Sequence, residues 1–264
     1  MTESENTQPQ IQFNVLLIGD SCIDKYHIGT VDRLSPEAPV PVFKIVDSYE
    51  VQGMAANVYL NLVNMKITPD FITNSEIITK NRYIDKRSGQ HLLRVDDEGK
   101  IMQWDQITPQ PLDAYDAIVI SDYNKGFLSY QNIEHIISAV KCPIFIDTKK
   151  RDLAKFSAEN VFVKINETEY KNRISSPLNL IVTLGDKGAT LKTACYEDLF
   201  QTKQVEVMDV CGCGDTFLSA LTAQYLFTKN PDLAIMFANA AAGITVQHRG
   251  NYAPAYEEVK NAGY

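Results

Sequence analysis

The sequence predicts a doubly wound α/β domain with a mostly parallel main sheet and a small antiparallel β flap. Three observations predict it: short β-branched runs that end in polar residues, helical segments between and after them, and two segments that alternate instead. The runs are Val15–Ile18 ending at Gly19-Asp20, Ala117–Ile120 ending at Ser121-Asp122, and Ile144–Ile146 ending at Asp147-Thr148. Val161–Ile165 ending at Asn166 and Leu180–Leu184 ending at Gly185 complete the set. Continuous apolar runs of this length suit strands buried on both faces, as in parallel sheets. Ligands of open α/β sheets bind beyond the carboxyl ends of the strands. The polar residues at those ends are therefore candidates for one shared site.

Helical spacing follows. Ala55–Val63 is rich in Ala and Leu, and Gln131–Val140 places Ile133, Ile136, Ile137 and Val140 on one face. Thr216–Phe227 aligns Phe217, Ala220, Leu221 and Tyr225, and Leu233–Val246 carries the small run Ala240-Ala241-Ala242-Gly243. Strand and helix alternating along the chain read as a doubly wound fold. Pro39–Val46 and His91–Val95, with Ile101–Trp104 after it, alternate with period two and read as half-buried flap strands. The expected organisation is a flexible polar tail over 1–10 and one domain over 11–264, with flap strands from about 26–47 and 91–104.

Composition narrows the function. The net charge of −8 disfavours nucleic acid or an anionic membrane as a partner, although local dipoles still allow an anionic substrate. No apolar stretch is long enough to span a bilayer, and the first ten residues lack an apolar signal core, so the expected location is the cytoplasm. Five scattered cysteines make a poor disulfide framework. Cys211 and Cys213 have no further ligands at zinc-like spacing.

The chemistry concentrates in Asp209-Val210-Cys211-Gly212-Cys213-Gly214-Asp215-Thr216, immediately before an amphipathic helix. Two glycines let the backbone turn tightly and present N–H groups, and the helix start adds partial positive charge. That combination suits an anion hole for a transferring phosphoryl group, with Asp215 placed to take a proton from an acceptor hydroxyl. The same eight residues equally suit a Gly-rich turn with Asp215 as a helix cap.

The segment resembles the D-T-x-G-A-G-D signature of ribokinase-like (PfkB) carbohydrate kinases, with Val210 for the usual Thr and Cys213 for the usual Ala. The resemblance covers most of the chain. Gly19–Tyr26, Arg33–Val42 with its S-P-E-A-P-V-P-V run, Ser121–Gly126 and Phe237–Gly243 are similar to the heptose-phosphate kinases of lipopolysaccharide synthesis. The resemblance implies ATP-dependent phosphorylation of a sugar or sugar phosphate, with a heptose 7-phosphate taking the phosphoryl group at its anomeric hydroxyl. It makes Asp215 the catalytic base and Gly212, Cys213 and Gly214 the anion hole. It assigns Asp20, Asp24, Gly53 and Asn57 to the sugar, Met54 replacing a glycine of the family's G-G-A-A-N. Asp122, at its run end, joins the substrate-binding candidates. Lys125 and Arg94 are candidates for a substrate phosphate, or else solvated surface charges.

Asn166 and Glu169 match the family's N-x-x-E, which implies Mg²⁺ held through water by Glu169. Equally, the two residues suit a helix capping box. Thr183, Gly185 and Gly188 resemble the T-x-G-x-x-G nucleotide turn, and Asn239 lies near the adenine by analogy. P-loop and protein-kinase motifs are absent. These 264 residues also contain no H-x-G-H segment, so the second activity fused to some heptose kinases is not expected of them. Relatives carry longer stretches between Lys66 and Arg82 and between Glu169 and Leu180. Surface uncovered by those shortenings, together with the flap, suggests a homodimer. The alternatives are a weakly catalytic sugar- or nucleotide-binding regulator, suggested by Met54, Val210 and Cys213, and a nucleoside kinase sharing the fold.

Overall fold

The computed structural model describes residues 12–263, so the tail expected over 1–10 lies outside the described residues. The chain begins with β1 (Val15–Gly19), then β2 (Ser21–Leu34), β3 (Pro41–Met54), α1 (Ala55–Asn64), β4 (Asp70–Thr73), β5 (Thr79–Asp85) and β6 (His91–Asp97). It continues through β7 (Ala117–Asp122), α2 (Tyr130–Ala139), β8 (Ile144–Thr148), β9 (Val161–Asn166) and α3 (Glu167–Asn172). The last third holds β10 (Leu180–Thr183), β11 (Ala189–Lys192), β12 (Glu197–Phe200), α4 (Cys213–Thr228), α5 (Pro231–Thr245) and α6 (Tyr256–Ala262).

The main sheet has the order β12-β11-β10-β9-β8-β7-β1-β4. All its pairings are parallel except those of β11, which runs antiparallel to both neighbours. Successive strand residues point to opposite faces, and the core divides accordingly. Leu17, Val119, Phe145 and Ile181 pack under α1, α4, α5 and α6. Leu16, Ile18, Ile120, Ile146 and Val163 pack under α2 and the loops around Trp104, Phe127 and Phe156. Burial on both faces explains why these strands read as unbroken apolar runs.

The flap is a separate four-stranded sheet of order β3-β2-β5-β6. Its two long strands form an antiparallel hairpin that is wider than the expected 26–47. The second expected segment, 91–104, is strand only over His91–Asp97. Ile101 and Trp104 are instead buried in the core, where the Trp104 N–H donates to the Phe127 carbonyl at 2.9 Å. The short passage between Lys66 and Arg82 supplies one strand to each sheet, β4 beside β1 and β5 beside β2.

Of the four places where the chain passes between flap and main domain, two lie side by side, one at Asp20 and one at Met54. They are tied together by the Ala55 N–H donating to the Asp20 carbonyl at 2.9 Å. Met54 sits at φ 58°, ψ −133°, a conformation that glycine adopts without strain. Its side chain is buried against the core, which offsets the backbone cost of replacing the family's glycine.

Candidate active site

The carboxyl ends of β1, β7, β8, β9 and β10 open toward the start of α4, with the flap rising from β1 and α1. Gly212 adopts φ 73° and turns the chain into α4, so a side chain there would be strained. A Cβ at that position would also stand 2.9 Å from Asn57 Nδ2. The N–H groups of Cys213, Gly214 and Asp215 lie in the first helical turn, where no preceding carbonyl can satisfy them. Asp209 shapes the approach by accepting the N–H groups of Cys211 and Gly250, each at 2.9 Å.

Asp215 lies in that turn with only 5% of its surface exposed. Asn57 Nδ2 donates to its Oδ2 at 2.8 Å, and the Tyr123 hydroxyl donates to its Oδ1 at 2.7 Å. Burial raises the Asp215 carboxyl, the two hydrogen bonds oppose the rise, and the balance leaves it pushed up to about 6. A buried carboxylate poised near neutrality, beside the first-turn N–H groups of a helix, can take a proton while the N–H groups hold an anion.

Beneath the turn, Lys164 is buried and donates to Asp147 Oδ2 at 2.7 Å and to the Gly214 carbonyl at 3.3 Å. A Cβ on Gly214 would come within 3.0 Å of the Lys164 ammonium. Asp147 was among the run-end candidates, whereas Lys164 was not legible as a site residue, because it sits inside the apolar run Val161–Ile165.

On the flap side, Asp24 Oδ1 accepts both Nε and Nη2 of Arg82, at 3.2 and 2.8 Å. Gly53 lies against the same carboxylate, and a Cβ there would come to 2.3 Å from Asp24 Oδ2. Close approach, rather than a turn, therefore requires glycine at 53. Arg82 belongs to β5, a strand whose polar sequence hid it.

Several expected sugar contacts find other partners. Asp20 is fully buried, and its carboxylate accepts the backbone N–H groups of Tyr123, Lys125 and Phe127 at 2.8, 3.3 and 3.3 Å. It anchors the loop after β7 and does not reach open space. Asp122 is buried in an ion pair with Lys150, whose Nζ lies 3.0 and 2.9 Å from its two oxygens. Arg94 stands opposite Arg82 in the β5–β6 ladder, and its exposed guanidinium is taken by Asp96. Lys125 pairs with Glu98.

The nucleotide candidates divide. Thr183, Gly185, Gly188 and Asn239 line one cavity of about 200 Å³ together with Cys213 and Gly214. Gly188 has φ 92°, and a Cβ there would lie 2.0 Å from the Phe200 carbonyl oxygen. Asn239 Nδ2 donates to that same oxygen at 2.8 Å. Asn166 does not line the cavity. It caps α3, accepting the Glu169 N–H at 2.9 Å while Glu169 Oε2 accepts the Asn166 N–H at 2.8 Å. The other Glu169 oxygen pairs with Lys149. With both oxygens engaged, Glu169 suits a hydrated cation better than direct ligation. Among the described residues no group of three or more His, Cys, Asp or Glu is arranged to hold a metal.

Comparison with known proteins bears on the family and the fold. The family model described as pfkB family carbohydrate kinase matches residues 57–258. The chain is 29% identical over 310 residues to the bifunctional protein HldE of Haemophilus ducreyi, covering 97% of this chain and 65% of that protein. It is 31% identical over 292 residues to HldE of Vibrio cholerae, covering 89% of this chain and 60% of that protein. The chain therefore spans about 60–65% of the length of these curated relatives. Among solved structures, a ribokinase from Thermotoga maritima superposes with TM-score 0.71 at 18% identity, covering 95% of this chain and 99% of that one. Arabidopsis thaliana ribokinase complexed with ribose and ATP superposes with TM-score 0.76 at 15% identity, covering 96% and 99%. At these identities the superpositions establish the ribokinase-like fold, and the family match extends over the helix that carries Asp215. The chain belongs to the pfkB family of carbohydrate kinases.

Proposed function

We propose that the chain transfers the γ-phosphoryl group of ATP to a hydroxyl of a sugar or sugar phosphate, with the anomeric hydroxyl of a heptose 7-phosphate as acceptor. The observation that carries the reaction is the buried Asp215 carboxylate, held by Asn57 and Tyr123 and next in the chain to the cavity-lining Gly214. The acceptor assignment rests on the heptose-kinase resemblance of Ser35–Val42 and on the similarity to the HldE proteins.

In this reading ATP lies in the cavity lined by Thr183, Gly185, Gly188 and Asn239, with its phosphates toward Cys213 and Gly214. Asp24 and Gly53 face the sugar, Arg82 fixing the Asp24 carboxylate in one orientation. Asp215 accepts the acceptor's proton as its oxygen attacks. The N–H groups of Cys213, Gly214 and Asp215 then meet the charge on the transferring group. Mg²⁺ entering with the nucleotide would neutralise phosphate charge, and Glu169 would hold it through water. Phosphoryl transfer depends chiefly on positioning and electrostatics, and these residues supply both. We also place the protein in the cytoplasm, as a homodimer formed through the flap. Among the described residues no helix is long and apolar enough to cross a membrane. The flap leaves Ile45, Val46, Tyr49, Leu93 and Val95 exposed, apolar surface that a second copy would cover. Light scattering is expected to give twice the chain mass of 29.6 kDa, and a monomer would contradict the pairing.

The test is ADP release with Mg·ATP against hexoses, heptoses, their phosphates and nucleosides. Turnover is expected with a heptose 7-phosphate. A response to nucleosides alone would assign a nucleoside kinase instead, and binding without turnover across the panel would assign a regulator.

A further inference from the structure

We propose that Tyr123 is the residue that positions the base: its hydroxyl fixes the Asp215 carboxylate, and its ring lies within reach of Lys80 in the flap and of Lys149 in the loop after β8. The inference rests on the phosphoryl-transfer reading above and adds a residue that neither the motif nor the family match marks.

Tyr123 follows β7 directly, and its backbone N–H is fixed to Asp20 at 2.8 Å. That bond fixes the main chain at Tyr123, and the contact of its hydroxyl with Asp215 holds the ring. Its hydroxyl donates to Asp215 Oδ1 at 2.7 Å while Asn57 occupies Oδ2 at 2.8 Å. Each carboxylate oxygen thus carries one internal hydrogen bond, and the lone pairs left over point in a direction set by Tyr123 and Asn57. Lys80 of the flap lies 5.4 Å from the ring centroid, and Lys149, after β8, lies 5.3 Å from it. Both distances are within cation–π range. Lys80 belongs to β5, so the group that orients the base also touches the flap.

The charged and titratable groups around Asp215 come from several elements. Asp147 and Lys164 approach from β8 and β9, Lys149 from the loop after β8, Cys22 from β2 and Cys213 from its own helix. Burial and the Asp215 charge hold the Tyr123 phenol well above its ordinary range, so it remains a proton donor at all working pH values. A hydrogen bond to the ionised form stabilises that form. Removing the hydroxyl should therefore raise the Asp215 pKa.

The experiment compares wild type with Tyr123→Phe, which keeps the ring and its contacts to Lys80 and Lys149. The Asp215 carboxyl carbon is titrated by NMR, with Asp215→Asn identifying its resonance. The midpoint is expected to move up by about one pH unit in Tyr123→Phe. The acidic limb of kcat should move with it, while KM for ATP stays within about twofold of wild type. The double variant Tyr123→Phe/Asp215→Asn should be no slower than Asp215→Asn alone, because the tyrosine acts through the base. An unchanged titration midpoint, or additive losses in the double variant, would overturn the proposal. The NMR titration needs no turnover. An inactive wild type would count against the proposed reaction, and the titration would still decide the role of Tyr123.

Discussion

Asp215→Asn is expected to lower kcat by about a hundredfold or more while leaving ATP affinity within a few-fold of wild type. The amide keeps the shape of the carboxylate and can still accept from either Asn57 or Tyr123, so the turn and cavity should survive. What is lost is the ability to take the acceptor's proton. Stability should move the other way. The Asp215 pKa lies at about 6 in the fold against an ordinary 3.8. As pH rises through that window the unfolded chain releases this proton first, so the stabilisation present below pH 4 is lost by about pH 6. At pH 7 the buried charge, net of its hydrogen bonds, costs on the order of 2–3 kcal/mol. A neutral amide removes that cost. The variant should therefore melt no lower than wild type at pH 7, while calorimetry shows ATP binding retained. Near-native turnover in Asp215→Asn would remove the base from the account.

Asp122→Ala is expected to destabilise the protein by about 3–5 kcal/mol, the range for breaking one side of a buried ion pair. Both side chains are almost wholly inaccessible, at 0% for Asp122 and 4% for Lys150. Lys150 Nζ also donates to Asn124 Oδ1 at 3.1 Å and to the Leu128 carbonyl at 2.8 Å. These bonds close the loop that carries Tyr123. Removing the carboxylate leaves the ammonium buried beside neutral acceptors only. For a chain of 264 residues the melting temperature should fall by roughly 10 °C or more. Replacing both partners, as Asp122→Leu/Lys150→Met, should recover much of that loss, because paired removal leaves no orphaned charge. A single variant that melts within two or three degrees of wild type would show that Asp122 is not a structural anchor.

Asp122 and Asp20 illustrate where sequence reading stops. Both stand at the ends of apolar runs, where ligands of α/β sheets bind, and that position drew them into the candidate site. A run end marks proximity to the site but not the direction of the side chain. Asp20 turns inward to three backbone N–H groups, and Asp122 turns inward to Lys150. Asp24 and Asn57 lie beside the same opening, one toward Arg82 and Gly53, the other toward Asp215.

The main sheet was legible because its central strands are apolar on both faces. β11 and β12 were not, being four-residue strands at the sheet's edge with no run to mark them. β5 has the sequence TKNRYID, which mixes charge into both faces, so the strand bearing Lys80 and Arg82 left no periodic signal. The capping reading of Asn166 and Glu169 matches the observed hydrogen bonds, while a role toward Mg²⁺ requires water in between. Tyr123 lay within a recognised motif, Ser121–Gly126, yet nothing in residue type or spacing announces a tyrosine whose hydroxyl meets a carboxylate 92 residues later.

The most direct test of the central claim follows the phosphoryl group itself. Phosphorus NMR of a reaction containing Mg·ATP and a heptose 7-phosphate should show ADP together with a second sugar phosphate resonance coupled to the anomeric proton. That resonance should be missing from an identical reaction with Asp215→Asn. Inorganic phosphate as the only new product, or the same sugar product from Asp215→Asn at the wild-type rate, would contradict phosphoryl transfer to the sugar by this base.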